Sequence, residues 1–278
     1  MAGKLFVVGT PIGNLSDFSP RAVETLNTVD FIAAEDTRVS MKLLSHFGIK
    51  KELVSYYEHN KRARGGEIIS RIEAGENCAI VTDAGMPAIS DPGEELVKTA
   101  HECGITVESV PGPAACVTAL AISGMPSGRF CFEGFLSVSK QSRRQHLEEI
   151  KNEKRTMIFY EAPHKLVYTL KDMASVLGDR NIAVVKELTK IHETVLRTTL
   201  CSAVEYFENN PPKGEYVLII EGAPEEESVS YSSQDAVNLA VKLMNDGLSA
   251  SAAAREAAQV SGIKKGEIYR LMMEKESE

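Results

Sequence analysis

The chain predicts an α/β protein. Two consecutive α/β domains span residues 1–123 and 124–224, and an acidic linker then leads into a small helical, helix-turn-helix-like module over residues 225–278. Three observations predict it. Short apolar runs alternate with amphipathic segments over about 120 residues, the pattern of a mostly parallel sheet. Those runs end in charged or Gly/Pro-rich loops, where open α/β sheets present ligand sites. Beyond an acidic, Pro- and Ser-containing stretch at residues 222–232, the segment from Gln234 to Glu276 follows helical periodicity.

In chain order, Leu5–Val8 is a buried-strand run leading into the loop Gly9–Leu15. Ser19 followed by Pro20 starts a helix as cap and first turn, with Ala22, Val23, Leu26 and Val29 at helical spacing. Phe31–Ala34 is the second strand, ending in Glu35-Asp36-Thr37-Arg38. Val39, Leu43, Leu44 and Phe47 mark a helix that Gly48 stops. The strand Leu53–Tyr57 delivers Glu58-His59-Asn60 and a basic loop, Lys61-Arg62-Ala63-Arg64. Ala79–Thr82 is a strand that stops at Asp83; a loop with Gly85, Pro87, Asp91, Pro92 and Gly93 precedes the helix Glu94–Cys103. Ile105–Val110 is a strand ending in Pro111-Gly112-Pro113, before a helix of small residues, Ala114–Ser123, that Gly124 stops. The second unit reads as strand Arg129–Glu133, a helix near Arg143–Ile150, strand Thr156–Glu161, helix Lys165–Leu177 and strand Asn181–Glu187. The helix Ala203–Glu208 and the strand Tyr216–Glu221 complete it.

Composition narrows the function classes. Hydrophobic residues make up 43% and charged residues 25% of the 278, as in a soluble globular protein. No apolar run approaches the roughly 18 residues of a membrane span, and the amino terminus lacks the pattern of a signal peptide. Five widely spaced cysteines, with no C-x-x-C pair, read as small buried hydrophobes in a reducing compartment. The expectation is a cytoplasmic, metal-free protein. A net charge of −8 opposes non-specific nucleic-acid binding over the whole surface, so an RNA partner must meet a local basic patch.

No G-x-G-x-x-G, P-loop, H-E-x-x-H or G-x-S-x-G occurs, which removes the main support for NAD-linked, NTP-hydrolysing and zincin chemistry. Gly9, Gly85 and Gly112 carry no Cβ to obstruct a ligand, and Pro11, Pro87 and Pro113 stiffen the loops. An uncharged loop with one acceptor, Asp83, suits an adenosine-type ligand better than a triphosphate. The best basic patch is Lys140-Gln141-Ser142-Arg143-Arg144, continuing to Lys151, Lys154 and Arg155; Lys61, Arg62 and Arg64 form a second. Glu148, Glu149 and Glu153 are interleaved with the first patch, so a solvated helix face is the alternative. Near the carboxy terminus, Ala258, Gly262 and Ile268 fall at helix-turn-helix spacing. The would-be recognition helix, Lys264–Lys275, mixes Glu267 and Glu274 with its lysines and Arg270, which is poor for reading a DNA groove.

The segments VGTPIGNL (Val8–Leu15), AAEDTR (Ala33–Arg38), TDAGMPAISDPG (Thr82–Gly93) and VPGPAA (Val110–Ala115) resemble successive motifs of the tetrapyrrole-methylase-like AdoMet-dependent methyltransferases. RFCFEGFL (Arg129–Leu136), FYEAPHKL (Phe159–Leu166) and KELTKIHE (Lys186–Glu193) agree, narrowing the resemblance to the branch that modifies small-subunit ribosomal RNA. The resemblance implies a homodimer of two-domain α/β chains, with S-adenosyl-L-methionine in a cofactor cleft between the domains. It also implies methyl transfer to the ribose 2′-oxygen of a cytidine in 16S ribosomal RNA, free or in the assembled subunit. By motif position it places Pro11, Asp83, Gly85, Ser90, Gly112, Ala115 and Glu161 at the cofactor.

Such a transfer needs acceptor oxygen, methyl carbon and sulfur in line, and a positioned base for a poorly nucleophilic hydroxyl. Candidates for the base are Lys190, Glu187 and His59, with Asp36 and Arg38 as orienting or RNA-contacting groups. Lys190 would need a depressed pKa, which a desolvated cleft could supply. Two rivals remain: a precorrin-like tetrapyrrole methylase of the same superfamily, and a non-catalytic regulator built on the carboxy-terminal helices.

Overall fold

The computed structural model describes residues 2–224 and 232–275. Residues 225–231 of the expected acidic linker, and Glu276, lie outside the described residues. The chain divides into two compact units, Met1–Ala223 and Pro224–Glu278.

The first unit carries two five-stranded sheets. The first contains β1 (Lys4–Val8), β2 (Phe31–Ala34), β3 (Glu52–Ser55), β4 (Cys78–Val81) and β5 (Thr106–Val110), ordered β3-β2-β4-β1-β5. All four pairings are parallel. Strands covered on both faces need apolar residues on both, and β2 and β4 are buried at every position. The helices α1 (Pro20–Thr28) and α2 (Thr37–His46) pack on one face through Leu26 and Leu44. On the other, α3 (Lys61–Glu73) and α4 (Glu94–Glu102) pack through Ile68, Ile72 and Leu96. Ser19 caps α1, accepting from the Ala22 N–H at 3.1 Å.

Between the sheets in sequence stands α5 (Ala115–Ser123), closed by Gly124 in the left-handed conformation. It follows β5 directly, yet buries Cys116, Ala119 and Leu120 against Ile158, Ala183, Val185 and Ile219 of the second sheet. Its small residues let a helix lie close on strands.

The second sheet comprises β6 (Phe130–Phe135), β7 (Thr156–Glu161), β8 (Asn181–Lys186), β9 (Thr194–Thr199) and β10 (Tyr216–Ile220), ordered β6-β7-β10-β8-β9. Only β6 and β7 run parallel; the remaining three pairings are antiparallel. Its outer face is covered by α6 (Lys140–Glu149), α7 (Leu166–Leu177) and α8 (Leu200–Asn209), with Leu147, Leu166, Leu170, Met173 and Leu200 fully buried.

The second unit contains α9 (Ser233–Asn245), α10 (Ala250–Ser261) and α11 (Lys265–Lys275). Ser232 and Asp235 form a capping box at α9, and Ser249 caps α10. Gly262 ends α10 at φ +72°. The core of this unit is Val237, Ala253, Ala254, Ala257, Ile268 and Met272.

Several expectations need correction. The segment Lys61–Arg64 is the first turn of α3, not a loop. Gly65 and Gly66, each costing about 1 kcal/mol in a helix, hide that helix from a propensity reading; burial of Ile68, Ile69 and Ile72 restores it. The edge strand β9 escaped notice because its burial is only partial and lacks clean alternation. All five cysteines are free, but Cys103 and Cys201 are exposed, so only some of them act as core hydrophobes. No helix of the described residues is long and apolar enough to cross a membrane.

Candidate functional site

Parallel pairing places the carboxyl ends of β1, β2, β4 and β5 along one edge of the first sheet: Val8 is level with Val110, and Ala34 with Val81. In the second sheet, Tyr216 at the start of β10 is level with Glu161 at the end of β7 and with Lys186 at the end of β8. Loops from both edges enclose a cavity of about 430 Å³, within the usual range for a small-molecule site.

The loop after β4 supplies much of the wall. Thr10 and Gly85 form a one-residue antiparallel bridge, the Thr10 N–H donating to Gly85 O at 2.9 Å and the Gly85 N–H returning to Thr10 O at 3.2 Å. Gly85 sits at φ +91°, and the non-glycine residues Ala88 and Ser90 sit at +67° and +62°. Backbone held in that region costs about 1–3 kcal/mol per residue and clusters at ligand sites. Apolar surface comes from Ile12, Met86, Ile89, Ala114, Ala115, Phe135, Val185, Leu188 and Val217.

Carboxylates gather at one end. Glu35 accepts from the Thr82 hydroxyl at 2.6 Å, and Asp83 accepts from the Asp36 N–H at 3.2 Å. Although Asp83 opens toward the cavity, partial desolvation raises its carboxyl above the ordinary range. The Glu35 and Asp36 charges add to this, outweighing the Asp36 N–H. Asp91 goes further: burial, then the charges of Glu35 and Asp83, push it up to about 7. Among the described residues no three His, Cys, Asp or Glu side chains are placed to share a metal ion.

Of the residues expected at a cofactor, Asp83, Gly85, Ser90, Ala115 and Glu161 line the cavity; Pro11 and Gly112 do not. Glu161 is 3% exposed and engaged locally, accepting from the Ala162 N–H at 2.8 Å and the Thr169 hydroxyl at 2.5 Å, with Lys165 Nζ at 3.3 Å. Gly112 also answers a packing constraint. A Cβ there would stand 2.8 Å from Gly9 Cα, and one on Gly9 would stand 2.7 Å from Gly112 Cα. The two glycines let the ends of β1 and β5 pack backbone to backbone.

The expected bases are placed differently from one another. Lys190 Nζ donates to Glu187 at 3.0 Å and to Glu215, a cavity residue, at 2.9 Å. Burial pulls its pKa down, but those two carboxylates outweigh it and leave the ammonium above its ordinary value. That corrects the expectation of a depressed lysine. Glu187 accepts from the Glu215 N–H and from Lys190, which together hold its carboxyl below the usual range. His59 is exposed between β3 and α3, outside the cavity lining.

The expected RNA-contacting residues also divide. Arg143 is 7% exposed: its Nε and Nη2 donate to Asp172 Oδ2 at 2.9 and 2.6 Å, and its Nη1 donates to the Ser137 and Val138 carbonyls at 3.1 Å. It is a core ion pair and is corrected accordingly. Lys140 and Arg144 remain exposed on α6. Lys61 is paired with Glu58 and Glu95 at 2.8 and 3.2 Å, and Arg62 is exposed. Arg38 grips Asp36 through two bonds, which with the Arg38 N–H hold that carboxyl near 2.

Sequence reasoning passed over Glu35, Asp91, Phe135, Tyr160 and Glu215 as site residues. The first two stand in the segments already read as site-bearing, so the signal was available. Glu215 had none, because an antiparallel strand inserted late in the chain brings it there.

The family model described as "Tetrapyrrole (Corrin/Porphyrin) Methylases" matches residues 4–203. The ribosomal RNA small subunit methyltransferase I of a Synechocystis strain is 47% identical over 277 residues, 99% of each chain. The protein of that name from Thermotoga maritima is 46% identical over 220 residues, covering 79% of this chain and 99% of its own. Among solved structures, uroporphyrin-III-C-methyltransferase from Thermus thermophilus aligns with a TM-score of 0.56 at 18% identity, covering 80% of this chain and 95% of that one. The chain therefore belongs to the tetrapyrrole (corrin/porphyrin) methylase family, in the branch formed by the ribosomal RNA small subunit methyltransferase I proteins.

Proposed function

We propose that the protein transfers the methyl group of S-adenosyl-L-methionine to the ribose 2′-oxygen of a cytidine in small-subunit ribosomal RNA. What carries the reading is the near end-to-end similarity to relatives named for methylation of that RNA. We read the protein as a cytoplasmic homodimer; sedimentation of the purified protein at the mass of one 30.3 kDa chain would remove the dimer.

The cavity fits the methyl donor. Its apolar walls suit an adenine ring and the carbon chain beside the sulfonium, and Glu35, Asp83 and Asp91 suit a ligand with net positive charge. When bound, AdoMet supplies an already activated methyl group on its sulfonium. The chain's own task is then to hold the ligand, exclude water, aim the ribose hydroxyl and accept its proton as the new C–O bond forms. That last role is left to the Glu187 carboxylate beside the cavity residue Glu215. Asp83 and the strained 85–91 loop would hold the cofactor's polar end. Lys190 stays an ammonium at neutral pH, tying Glu187 to the cavity residue Glu215. Lys140, Arg144, Lys154 and Arg62 are exposed cations able to steer RNA.

Asp83→Ala is expected to weaken AdoMet binding roughly 10- to 100-fold, the worth of a hydrogen bond to a charged group. Calorimetry measures this, and unchanged affinity would remove Asp83 from the site.

The Asp91 carboxyl gives a pH signature. It is neutral below about 7 and ionised above, so affinity for a cationic cofactor is expected to rise as the pH climbs from 6 to 8. Asp91→Asn should flatten that profile. The sign for stability is opposite. The folded protein keeps the proton up to about 7, whereas the unfolded chain releases it near 3.8, so stability falls as the pH climbs between those values. An AdoMet affinity that does not change across this range would contradict the assignment.

The deciding experiment is methyl transfer from labelled AdoMet to unmodified small ribosomal subunits, followed by nucleoside analysis. Labelled 2′-O-methylcytidine is the expected product. Confirmed AdoMet binding without transfer to subunits or free rRNA would overturn the RNA reading and leave a precorrin-like substrate as its successor. Absence of AdoMet binding would favour a regulator built on the carboxy-terminal helices.

A further inference from the structure

Phe135 closes β6, and the chain reaches it through a bulge. The register against β7 runs Phe132 to Ile158 and then Gly134 to Phe159, leaving Glu133 unpaired, with Gly134 at φ +65°. A bulge re-aims the side chains that follow it. Here Phe135 joins the cavity wall while remaining 54% exposed, and the next residue, Leu136, returns to the core at 2%. A Cβ on Gly134 would stand 3.2 Å from Ser90 Oγ, so the bulge also seats this strand end against the strained loop after β4.

The ring is held from behind. Tyr160 meets it edge-on at 5.5 Å and is itself fixed, packing on Phe132 at 4.9 Å and accepting from the Cys116 N–H at 3.0 Å. Over the ring, Lys165 Nζ lies 5.8 Å from its centroid and also pairs with Glu161 at 3.3 Å. An aromatic ring more than half exposed at a cavity edge, stiffened by a second ring, matches what an unpaired nucleobase needs. Every base offers a π-face to stack, and a phosphate follows it. A ribose hydroxyl can reach an enclosed cavity only if its nucleotide leaves its neighbours, and the stacking it loses must be replaced.

We propose that Phe135 is the platform on which the base of the target nucleotide stacks. The inference rests on the RNA reading above and deepens it.

The chain contains no tryptophan, so Phe135→Trp places a single indole, excited apart from the tyrosines, at the platform. With S-adenosylhomocysteine bound, a small-subunit rRNA fragment containing the target cytidine is expected to quench the indole emission. The same fragment abasic at that position should not. In kinetics, Phe135→Leu is expected to raise the KM for RNA about 10- to 100-fold, the value of one stacked base, a larger loss than any in AdoMet affinity from this cavity-wall position. Phe135→Trp should keep a KM near that of the unmodified protein. Quenching that is indifferent to the target base, an unchanged KM for Phe135→Leu, or a parallel loss of AdoMet affinity would each overturn the platform. Quenching does not depend on which atom receives the methyl group. A wild-type protein that transfers nothing to RNA therefore defeats the parent reading, and base-independent quenching defeats this one.

Discussion

Arg143→Ala is expected to lower the free energy of unfolding by about 3–5 kcal/mol, the cost of stranding a buried charge. Arg143 and Asp172 are 7% and 6% exposed and pair at 2.6 Å. Removing the guanidinium leaves Asp172 without its counter-charge and the Ser137 and Val138 carbonyls without their donor. Against a total stability of roughly 5–15 kcal/mol, urea denaturation would register the change as a large fall in midpoint. Arg144→Ala, on the exposed side of the same helix, is expected to leave the midpoint within about 0.5 kcal/mol of wild type. The double replacement Arg143→Met with Asp172→Leu should recover most of the loss, because a well-packed apolar pair can stand in for a buried ion pair. An Arg143→Ala protein as stable as wild type, but impaired toward RNA, would return this arginine to the basic surface from which its sequence neighbours appeared to recruit it.

Gly112→Ala carries the second large effect, through a different mechanism. Its φ is unremarkable; the obstacle is contact, since the added Cβ would lie 2.8 Å from Gly9 Cα and 2.9 Å from Gly9 O. Backbone cannot swing aside as a side chain does, so the carboxyl ends of β1 and β5 must part. Overpacking of this kind costs about 1–3 kcal/mol. The same displacement shifts Ala114 and Ala115 in the cavity wall, so AdoMet affinity is expected to fall at least tenfold, a change of about 1.4 kcal/mol. Paired thermal-melt and calorimetric measurements check both, and an unperturbed cofactor affinity would show that the two strand ends move without the cavity. Gly85→Ala provides the contrast: its nearest neighbour is Ile12 Cγ2 at an ordinary 3.5 Å. The expected penalty there is the φ of +91°, which costs about 1–3 kcal/mol.

Much of this was legible in the sequence because the signals were local. The strand Phe31–Ala34, the Ser19 cap and the glycine stops at Gly48, Gly124 and Gly262 each depend on a few adjacent residues. So does the rule that a ligand site lies beyond the strand ends, which pointed to the Asp83–Asp91 loop before any geometry was known. The α3 helix was less legible, since its glycines opposed it and only distant apolar partners favour it.

The sequence by itself determined that the chain alternates strand and helix and which family it resembles, and it pointed to loops that line the cavity. Tertiary structure decided the rest, for one physical reason: burial and pairing belong to neighbours far apart in the chain. It turned Arg143 from a surface cation into a core ion pair with a partner 29 residues away. It gave α5 to the second sheet, and made Gly9 and Gly112 each other's reason for being glycine. It set Lys190 between two carboxylates, one of them 25 residues distant, which hold its proton on. A side chain's charge state and reach are fixed by what surrounds it, and those surroundings exist only once the chain has folded.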